Sequence, residues 1–372
     1  MTKRKVVITG LVGFIGSHLR DRLSREQDIE VPQFEDAYFS DAGKLREVLE
    51  GAEAVVHLAA MNRGDESEIY ATNIELVQKL IGQLEALGEK PHVLFSSSTQ
   101  AELDNPYGRS KKAGEAMLEQ WSKRTGAPVT AMVIPNVFGD RCRPFYNSVV
   151  ATFCHLLTHG GEPEVKVDKE LSLIYINELC ETFWRRICEP PAGFMRYEVA
   201  ASARAKVTEI LTMLRRFRDC YFDKKMVPLL ADDFQRNLYN VFLSYVDAAG
   251  YEQPLVLRTD DRGSLFEVVR QEKGSQVFFS TTRPGIVRGN HYHTRKMEKF
   301  CVVKGTAVIR LRRIGTEEVF EYRVSGREPV AVEMPVFYTH NIENVGDEEL
   351  CTLFWTNEVY DPADPDTYFE KV

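Results

Sequence analysis

Tyr107 and Lys111 are four residues apart in the segment Tyr-Gly-Arg-Ser-Lys. On a helix this spacing places both side chains on one face. Reduction of a ketone by hydride transfer needs a proton donor, and a tyrosine can serve when a nearby cation lowers its pKa. The spacing therefore predicts that Tyr107 is a catalytic acid. Lys111 would support it and bind the ribose next to the nicotinamide.

The same spacing also occurs at Tyr221 and Lys225, which we interpret as a chance surface pair. Context distinguishes the two pairs, because Tyr107 follows the run Ser96–Ser98 and precedes an amphipathic helical segment. We expect the Ser98 hydroxyl to bond the substrate oxygen beside Tyr107. The alternative is a serine that merely caps the loop.

Three of the eight histidines form a second pattern. His291 and His293 alternate as on one face of a strand, Glu298 follows shortly, and His340 lies further along. Such donors complete a three- or four-ligand metal site with an open position. We predict zinc, with manganese or iron as alternatives. The metal would act as a Lewis acid, the alternative being a structural role.

A glycine-rich loop follows the first apolar run, with Gly10, Gly13 and Gly16 spaced by three, and Phe14 and Ile15 opening a helix. Strand, glycine loop and helix N-terminus together predict a pyrophosphate site for a dinucleotide. Glu35 or Asp36 could take the ribose hydroxyls, and Asp41 the adenine. No arginine directly follows the second strand, which by itself favours NAD over NADP.

The elements that must position these groups alternate between strand and helix in the first half of the chain. Predicted strands are Lys5–Thr9, Ile29–Phe34, Ala54–Leu58, His92–Ser96 and Val129–Ile134, with helices between them. Alternation of this kind predicts an α/β Rossmann domain with parallel strands. Residues 145–245 are more helical, as expected of a region that caps the substrate side.

After Gly250 short apolar runs are separated by glycine or proline, which predicts a small all-β barrel. We therefore expect two domains, 1–249 and 250–372.

Composition limits the functional classes. The net charge is −8, which argues against a nucleic-acid partner. We expect no membrane span and no export signal, and we interpret the seven cysteines as reduced thiols. Together these features predict a cytoplasmic enzyme.

The ordered motifs in residues 5–140 resemble the extended short-chain dehydrogenase/reductase family, which acts mostly on nucleotide sugars. The resemblance implies cofactor contacts from Leu58, Ala59, Ala60 and Asn73, besides the glycine loop, Asp41 and Lys111. Family dehydratases carry Asp-Glu after the catalytic hydroxyl residue. Here Thr99-Gln100 follow Ser98, so dehydration is not expected.

The spacing from Gly285 to Gly305 and the segment Pro335–Asn344 resemble the two motifs of the cupin (jelly-roll) family. The resemblance implies a metal held by His291, His293, Glu298 and His340. Phe337 stands where the second motif usually has glycine. The segment Asp260–Gly263 also resembles the opening of cupin-fold keto-sugar 3,5-epimerases.

Segments along nearly the whole chain, among them Asn105–Glu115, Tyr338–Glu343 and Asp366–Phe369, resemble bifunctional enzymes of capsular polysaccharide synthesis. The resemblance implies a homodimer on the route to UDP-N-acetyl-L-fucosamine. Its cupin would epimerise a UDP-linked 4-keto-6-deoxy-hexosamine at C3 with zinc, and its Rossmann domain would reduce C4 with NADPH. The resemblance implies NADPH, whereas the residues after the second strand favour NAD. We follow the resemblance and expect NADPH, with NADH as the alternative.

Two further expectations concern the substrate. Arg141, Arg143 and Asn147 are candidates to bind its diphosphate and uracil, and Tyr338 or Lys299 is a candidate base at C3. Two rival functions share these motifs: an NAD-dependent 4-epimerase with a structural cupin, and a non-enzymatic sensor of NAD(P) or sugar.

Overall fold

The computed structural model describes residues 3–372, which form two compact units. One unit contains the chain up to Leu214 together with Asp232–Val246. The other contains Arg215–Ala231 together with Asp247–Val372. The assignment of Arg215–Ala231 to the second unit was not predicted. The segment is held by long-range backbone bonds, such as Val227 N to Arg270 O at 2.8 Å, which a local sequence pattern does not reveal.

Within the described residues, nine strands belong to the first unit. They are β1 (Arg4–Thr9), β2 (Ile29–Glu30), β3 (Ala54–His57), β4 (His92–Ser98), β5 (Val129–Ile134), β6 (Asn136–Phe138), β7 (Glu170–Tyr175), β8 (Phe194–Glu198) and β9 (Ala203–Lys206). Six of them form one parallel sheet in the order β2-β1-β3-β4-β5-β8. Strands β6, β7 and β9 form a separate three-stranded sheet.

In the described part of the chain, eight α-helices alternate with these strands or follow them. They are α1 (Phe14–Leu23), α2 (Ala42–Leu49), α3 (Glu66–Leu87), α4 (Pro106–Thr125), α5 (Val149–Thr158), α6 (Ile176–Cys188), α7 (Val207–Arg218) and α8 (Asp233–Ser244). The central strands are buried over nearly their whole length, as their continuous apolar runs predict. The Rossmann prediction is confirmed.

The second strand is shorter than predicted. It ends at Glu30 rather than Phe34. Pro32 follows two residues later, and proline offers no N–H to a sheet ladder. The chain then leaves the sheet edge, and Phe34 is buried in the core instead.

The second unit is antiparallel. Its strands are β10 (Arg258–Asp260), β11 (Gly263–Arg270), β12 (Gln276–Thr282), β13 (Val287–Tyr292), β14 (Glu298–Lys304), β15 (Thr306–Arg313), β16 (Val319–Ser325), β17 (Ala331–Met334), β18 (Tyr338–Asn344), β19 (Leu350–Thr356) and β20 (Tyr368–Phe369). They form a six-stranded sheet, β10-β11-β12-β19-β14-β17, and a five-stranded sheet, β16-β15-β18-β13-β20. The prediction of an all-β second domain is confirmed.

Strands β13 and β18 do not contain a short apolar run of the kind that predicted the barrel. Their sequences, Val-Arg-Gly-Asn-His-Tyr and Tyr-Thr-His-Asn-Ile-Glu-Asn, lack apolar alternation because several inward positions are histidine or asparagine. These two strands pair with each other and carry two of the four predicted metal ligands, His291 and His340, while His293 directly follows β13. Among the described residues, no helix is both long enough and apolar enough to cross a membrane.

Candidate functional site

The glycine-rich loop joins β1 to α1 and leaves the first turn of the helix open. Gly10 has a φ of 68°, and a Cβ there would lie 3.0 Å from the Ala59 backbone nitrogen. Gly13 caps α1 without a side chain, and the first turn, which includes Phe14 and Ile15, carries no acidic residue. The N–H groups of this turn therefore suit an anion such as a dinucleotide pyrophosphate.

Thr9, which the sequence analysis did not single out, connects this loop to the end of β3. Its hydroxyl accepts hydrogen bonds from the backbone nitrogens of Leu58 and Ala59, both at 3.1 Å. It also lies 2.9 Å from Nδ1 of the buried His57, whose pKa burial lowers to about 3. Thr9 thus fixes the backbone of Leu58 and Ala59, which was predicted to line the cofactor together with Ala60.

Asp41 and Asn73, both predicted cofactor contacts, make internal hydrogen bonds. The Asp41 carboxylate caps α2 by accepting from the nitrogens of Gly43 and Lys44, both at 3.1 Å. The Asn73 amide oxygen accepts from Met61 N at 2.7 Å, and its nitrogen donates to Met61 O at 2.9 Å. The same nitrogen also donates to Ser110 Oγ at 2.9 Å. Asn73 therefore ties the loop after β3 to α4.

Asn105 and Pro106 set the start of α4 and thereby place Tyr107 in its first turn. The Asn105 side chain caps the helix by accepting from Gly108 N at 2.7 Å, and Pro106 occupies the first helical position. The Lys111 ammonium lies 5.5 Å from the centre of the Tyr107 ring and donates to Ser96 Oγ at 3.3 Å. The side chains of Tyr107 and Lys111 therefore lie close together, as predicted.

The electrostatics of this pair differ from the prediction. Burial raises the pKa of Tyr107 to about 12 instead of lowering it. Burial lowers the pKa of Lys111 to about 7, opposed by the nearby charge of Glu115. A protonated tyrosine at neutral pH is the form that donates to a developing alkoxide. The geometry therefore suits ketone reduction.

Glu115 connects the pair to a charged network that sequence reasoning missed. Its carboxylate accepts from the Ser97 hydroxyl and lies 3.2 Å from Nε of Arg196. Arg196 also pairs with Glu198 and, at 3.1 Å, with Glu102. The signal was available in the sequence, because Glu115 stands one helical turn after Lys111.

Ser98 ends β4 and caps the short turn that follows. Its Oγ accepts from Gln100 N at 3.1 Å, as the loop-capping alternative predicts. A hydroxyl that accepts one bond still has its own hydrogen to donate. Capping is therefore compatible with a bond from Ser98 to a substrate oxygen.

The three predicted substrate-binding residues are in different environments. Arg141 pairs with Asp21 at 2.8 Å and Asp140 at 3.3 Å. Asn147 accepts from Nε of Arg63 at 3.1 Å. Arg143 lies with its guanidinium 5.7 Å from the centre of the Tyr146 ring.

Arg63 was missed by the sequence analysis. Its guanidinium lies 5.1 Å from the same Tyr146 ring, and it donates to Phe145 O at 2.8 Å. The Tyr146 hydroxyl in turn donates to the side chain of neighbouring Asn62. The exposed guanidinium groups of Arg63 and Arg143 thus both lie near the Tyr146 ring, where the loop after β3 meets the segment after β6.

The four predicted metal ligands converge in the second unit. One donor atom from each of His291, His293, Glu298 and His340 lies within 4.8 Å of the others. Oε2 of Glu298 lies 3.1 Å from Nε2 of His340 and 3.5 Å from Nε2 of His293. Within the described chain, Nε2 of His293 is a buried nitrogen without a well-aligned hydrogen-bond partner. Three imidazoles and one carboxylate fit a zinc or similar divalent cation.

Two groups of this cluster, His291 and Glu298, are already in the charge state that binds metal. Burial lowers the pKa of His291 to about 4, so its imidazole is neutral. Burial alone would raise the pKa of Glu298, but hydrogen bonds with His293 and His340 hold that pKa well below its usual range. Neutral imidazoles and a carboxylate are the metal-ligating states.

A bulge in β13 aims His291 at the cluster. The register with β18 shifts between Gly289 and His291. Gly289 has a φ of 100°, and a Cβ there would lie 2.8 Å from the carbonyl oxygen of His340. Glycine therefore allows the two ligand-bearing strands to approach closely.

Two family models match the sequence. The model of the NAD dependent epimerase/dehydratase family matches residues 6–199, and the polysaccharide biosynthesis C-terminal domain matches residues 258–368. The chain belongs to the NAD dependent epimerase/dehydratase family.

Similarity to several known proteins extends over nearly the full chain. A Pseudomonas aeruginosa protein, UDP-2-acetamido-2,6-beta-L-arabino-hexul-4-ose reductase, is 34% identical over 368 residues, which is 98% of each chain. The crystal structure of the capsular polysaccharide assembling protein CapF from Staphylococcus aureus matches with a TM-score of 0.85. Its sequence identity is 36%, covering 99% of this chain and 100% of that one. CapF with the inhibitor 3-isopropenyl-tropolone matches at 33% identity and a TM-score of 0.81, with the same coverage.

These matches confirm the predicted family and the predicted pairing of a Rossmann domain with an all-β domain. They also support the predicted class of activity, an NAD(P)-dependent oxidoreductase or epimerase.

Proposed function

We propose that this chain carries out two successive reactions on a UDP-linked 4-keto-6-deoxy-N-acetylhexosamine. The β-domain epimerises the sugar at C3, and the Rossmann domain then reduces the C4 ketone with NADPH. The observation that carries the proposal is that one chain contains both the Tyr107–Lys111 pair and the four-ligand cluster. Similarity over 98% of the chain to a reductase of a UDP-linked hexulose supports it.

In the reduction, Tyr107 would give its proton to the C4 oxygen, and a bound nicotinamide would supply the hydride. The Ser98 hydroxyl donates to the same oxygen, since its acceptor side is used by Gln100. Lys111 holds the ribose and offsets the negative charge that forms on the phenol. Gly10, Gly13 and Gly16, with the first residues of α1, bind the pyrophosphate.

In the epimerisation, His291, His293, Glu298 and His340 would hold a divalent cation, for which we propose zinc. When bound, such an ion polarises a ketone and acidifies the neighbouring C–H bond. The chain must also supply a base that moves the C3 proton. Tyr338 is the better of the two candidates, because it lies two residues from His340 on the same strand face.

Lys299 is a poorer candidate base. It directly follows Glu298 on β14, so it lies on the opposite face of the strand. There its ammonium pairs with Glu333 at 2.7 Å and is well exposed.

For the cofactor we propose NADPH. Lys44 supplies a positive charge in the region after β2, where its ammonium lies 5.6 Å from the centre of the Tyr38 ring. If it meets the 2′-phosphate, Lys44→Ala should raise the KM for NADPH and leave that for NADH unchanged. Equal KM changes for both cofactors would argue against this contact.

For the substrate diphosphate we propose Arg143 and Asn147, as predicted, together with Arg63. Arg141 is the weaker candidate, because two carboxylates already neutralise its charge. Arg63→Ala should raise the KM for the nucleotide sugar. Arg109→Ala is a matched control, since Arg109 is an exposed arginine paired with Asp104.

We also propose that the β-domain is a cupin barrel and that the protein is a homodimer. Light scattering of the purified chain would measure the second point directly.

The deciding experiment follows NADPH absorbance when the protein meets the UDP-linked 4-keto-sugar, with native and metal-stripped samples compared. We expect the keto-sugar to drive NADPH loss and metal removal to slow it or change the product. Unchanged NADPH with tightly bound, recycled NAD would indicate a 4-epimerase instead. No reaction of either kind would indicate a sensor.

A further inference from the structure

His293 is held from outside the metal cluster by a segment far along the chain. Its Nδ1 donates to the backbone carbonyl of Asp366, and both residues are buried. A histidine that carries its proton on Nδ1 presents the lone pair of Nε2. Nε2 is the atom that faces Glu298 and lacks a well-aligned partner of its own within the described residues.

The Asp366 side chain fixes this carbonyl in place. Its carboxylate accepts from Thr294 Oγ1 at 2.6 Å and from the nitrogens of Arg295 and Lys296, each at 2.9 Å. Thr294 N adds a bond at 3.1 Å. The turn that directly follows His293 is thus wrapped around one carboxylate. Asp366 has a φ of 44°, a left-handed conformation that aspartate and asparagine tolerate best among non-glycine residues.

The residues that follow Asp366 run along the ligand-bearing strands. Phe369 pairs with His291 and Tyr368 pairs with Tyr292 in β13. Glu370 N donates to Asn290 O at 3.0 Å, and the Glu370 carbonyl accepts from Thr339, the neighbour of His340. Residues 366–370, which we call the strap, therefore contact or flank all three histidines of the cluster.

We propose that the strap positions His293 for metal binding, with Asp366 as the positioning residue. Its carboxylate orients the backbone, its carbonyl selects the Nδ1–H tautomer of His293, and Nε2 is left as the metal donor. Outer-shell partners of this kind typically change metal affinity by about 10–100-fold when removed. The inference rests on the proposed metal site.

If the strap only stabilised the domain, the expected results would differ. Its disruption would change the stability of the domain without changing the tautomer of His293 or the affinity for metal. Asp366→Asn is the sharpest variant, because it keeps the shape and tolerates the φ angle. However, it replaces a carboxylate oxygen, which accepts hydrogen bonds from backbone N–H groups, with an amide NH2 group, which can only donate them. Thr294→Val is a milder variant that removes only the bond from Oγ1.

The matched control is Asp364→Asn. Asp364 also binds Arg295, at 2.7 Å, but it is exposed and its carboxylate does not contact His293. All variants are made in the full chain. Zinc affinity is measured by competition with a chromophoric chelator, and the His293 tautomer by ¹⁵N NMR of the metal-free protein.

We expect Asp366→Asn to weaken zinc binding about 10–100-fold and to lower the fraction of the Nδ1–H tautomer. Thr294→Val should do so more weakly, and Asp364→Asn should match the parent. Wild-type affinity and tautomer in both Asp366→Asn and Thr294→Val would overturn the inference, as would an equal loss in Asp364→Asn. Absence of zinc binding by the parent chain would instead contradict the proposed metal site.

Discussion

The ammonium nitrogen of Lys111 lies 5.5 Å from the centre of the Tyr107 ring and 4.9 Å from that of Phe95. The lysine is therefore enclosed by aromatic carbon, with Ser96 Oγ as its hydrogen-bond acceptor. This environment explains why burial lowers the pKa of Lys111 to about 7.

The first prediction concerns the Tyr107 hydroxyl. Tyr107→Phe removes the proton donor, and positioned acids of this kind contribute about 10²–10⁴-fold to rate. We expect a loss of kcat in that range, measured by NADPH consumption with the keto-sugar. The affinity for NADPH should stay unchanged, because the ring remains in place. Reduction at the full rate would exclude Tyr107 as the acid.

The second prediction concerns pH. A Lys111 pKa of about 7 means that its charge is present below pH 7 and is lost as the pH rises through that value. The kcat/KM for reduction should therefore fall on the alkaline side of pH 7. Tyr107, with a pKa raised to about 12, stays protonated over the same range.

Glu115→Gln tests whether Lys111 causes the fall in kcat/KM on the alkaline side of pH 7. The Glu115 charge raises the pKa of Lys111, so its removal should move the falling limb to lower pH. Glu119→Gln is the control, because Glu119 lies on the same helix but pairs with exposed Lys123 at 2.7 Å. An unmoved limb in Glu115→Gln would show that Lys111 does not determine the profile.

Much of the site could be predicted because its residues are adjacent in sequence or follow fixed spacings. Tyr107 with Lys111 follows a helical period, His291 with His293 a strand period, and the glycine loop a turn motif. Each pattern is local, and the structure brings each set together.

What could not be predicted depends on long-range contacts. The ion pair of Arg141 with Asp21, the contact of Arg63 with Tyr146 and the bond from His293 to Asp366 each join residues at least 73 positions apart. The pKa of Tyr107 was predicted with the wrong sign because burial raises it. Burial is a property of the folded protein, not of a motif.

The third prediction concerns the metal ligands. With the cofactor absent, we expect the keto-sugar to exchange its C3 proton with heavy water, and His291→Ala or metal removal to abolish that exchange. His155→Ala, outside the cluster, should leave the exchange unchanged. Exchange that persists in His291→Ala would remove the cluster from the chemistry and favour a structural β-domain.

The last prediction concerns Phe337, which stands where the second cupin motif usually has glycine. It has a φ of 61° and half of its surface is exposed. Its nitrogen donates to the His293 carbonyl at 2.8 Å, so the backbone cannot relax without moving a metal ligand. A left-handed conformation costs a non-glycine residue about 1–2 kcal/mol. Glycine avoids this cost but loses roughly 0.5–1 kcal/mol through its larger freedom in the unfolded chain.

Phe337→Gly should therefore raise the free energy of unfolding of the second unit by up to about 1 kcal/mol. Phe337→Ala is the control, because it removes the ring but keeps the strained φ, and it should not stabilise the unit. Urea unfolding of the full chain measures both variants, in a Trp121→Phe, Trp184→Phe background that leaves Trp355 as the fluorescent reporter of the second unit. Equal changes in the two variants would show that the ring, and not the backbone conformation, determines the stability at this position.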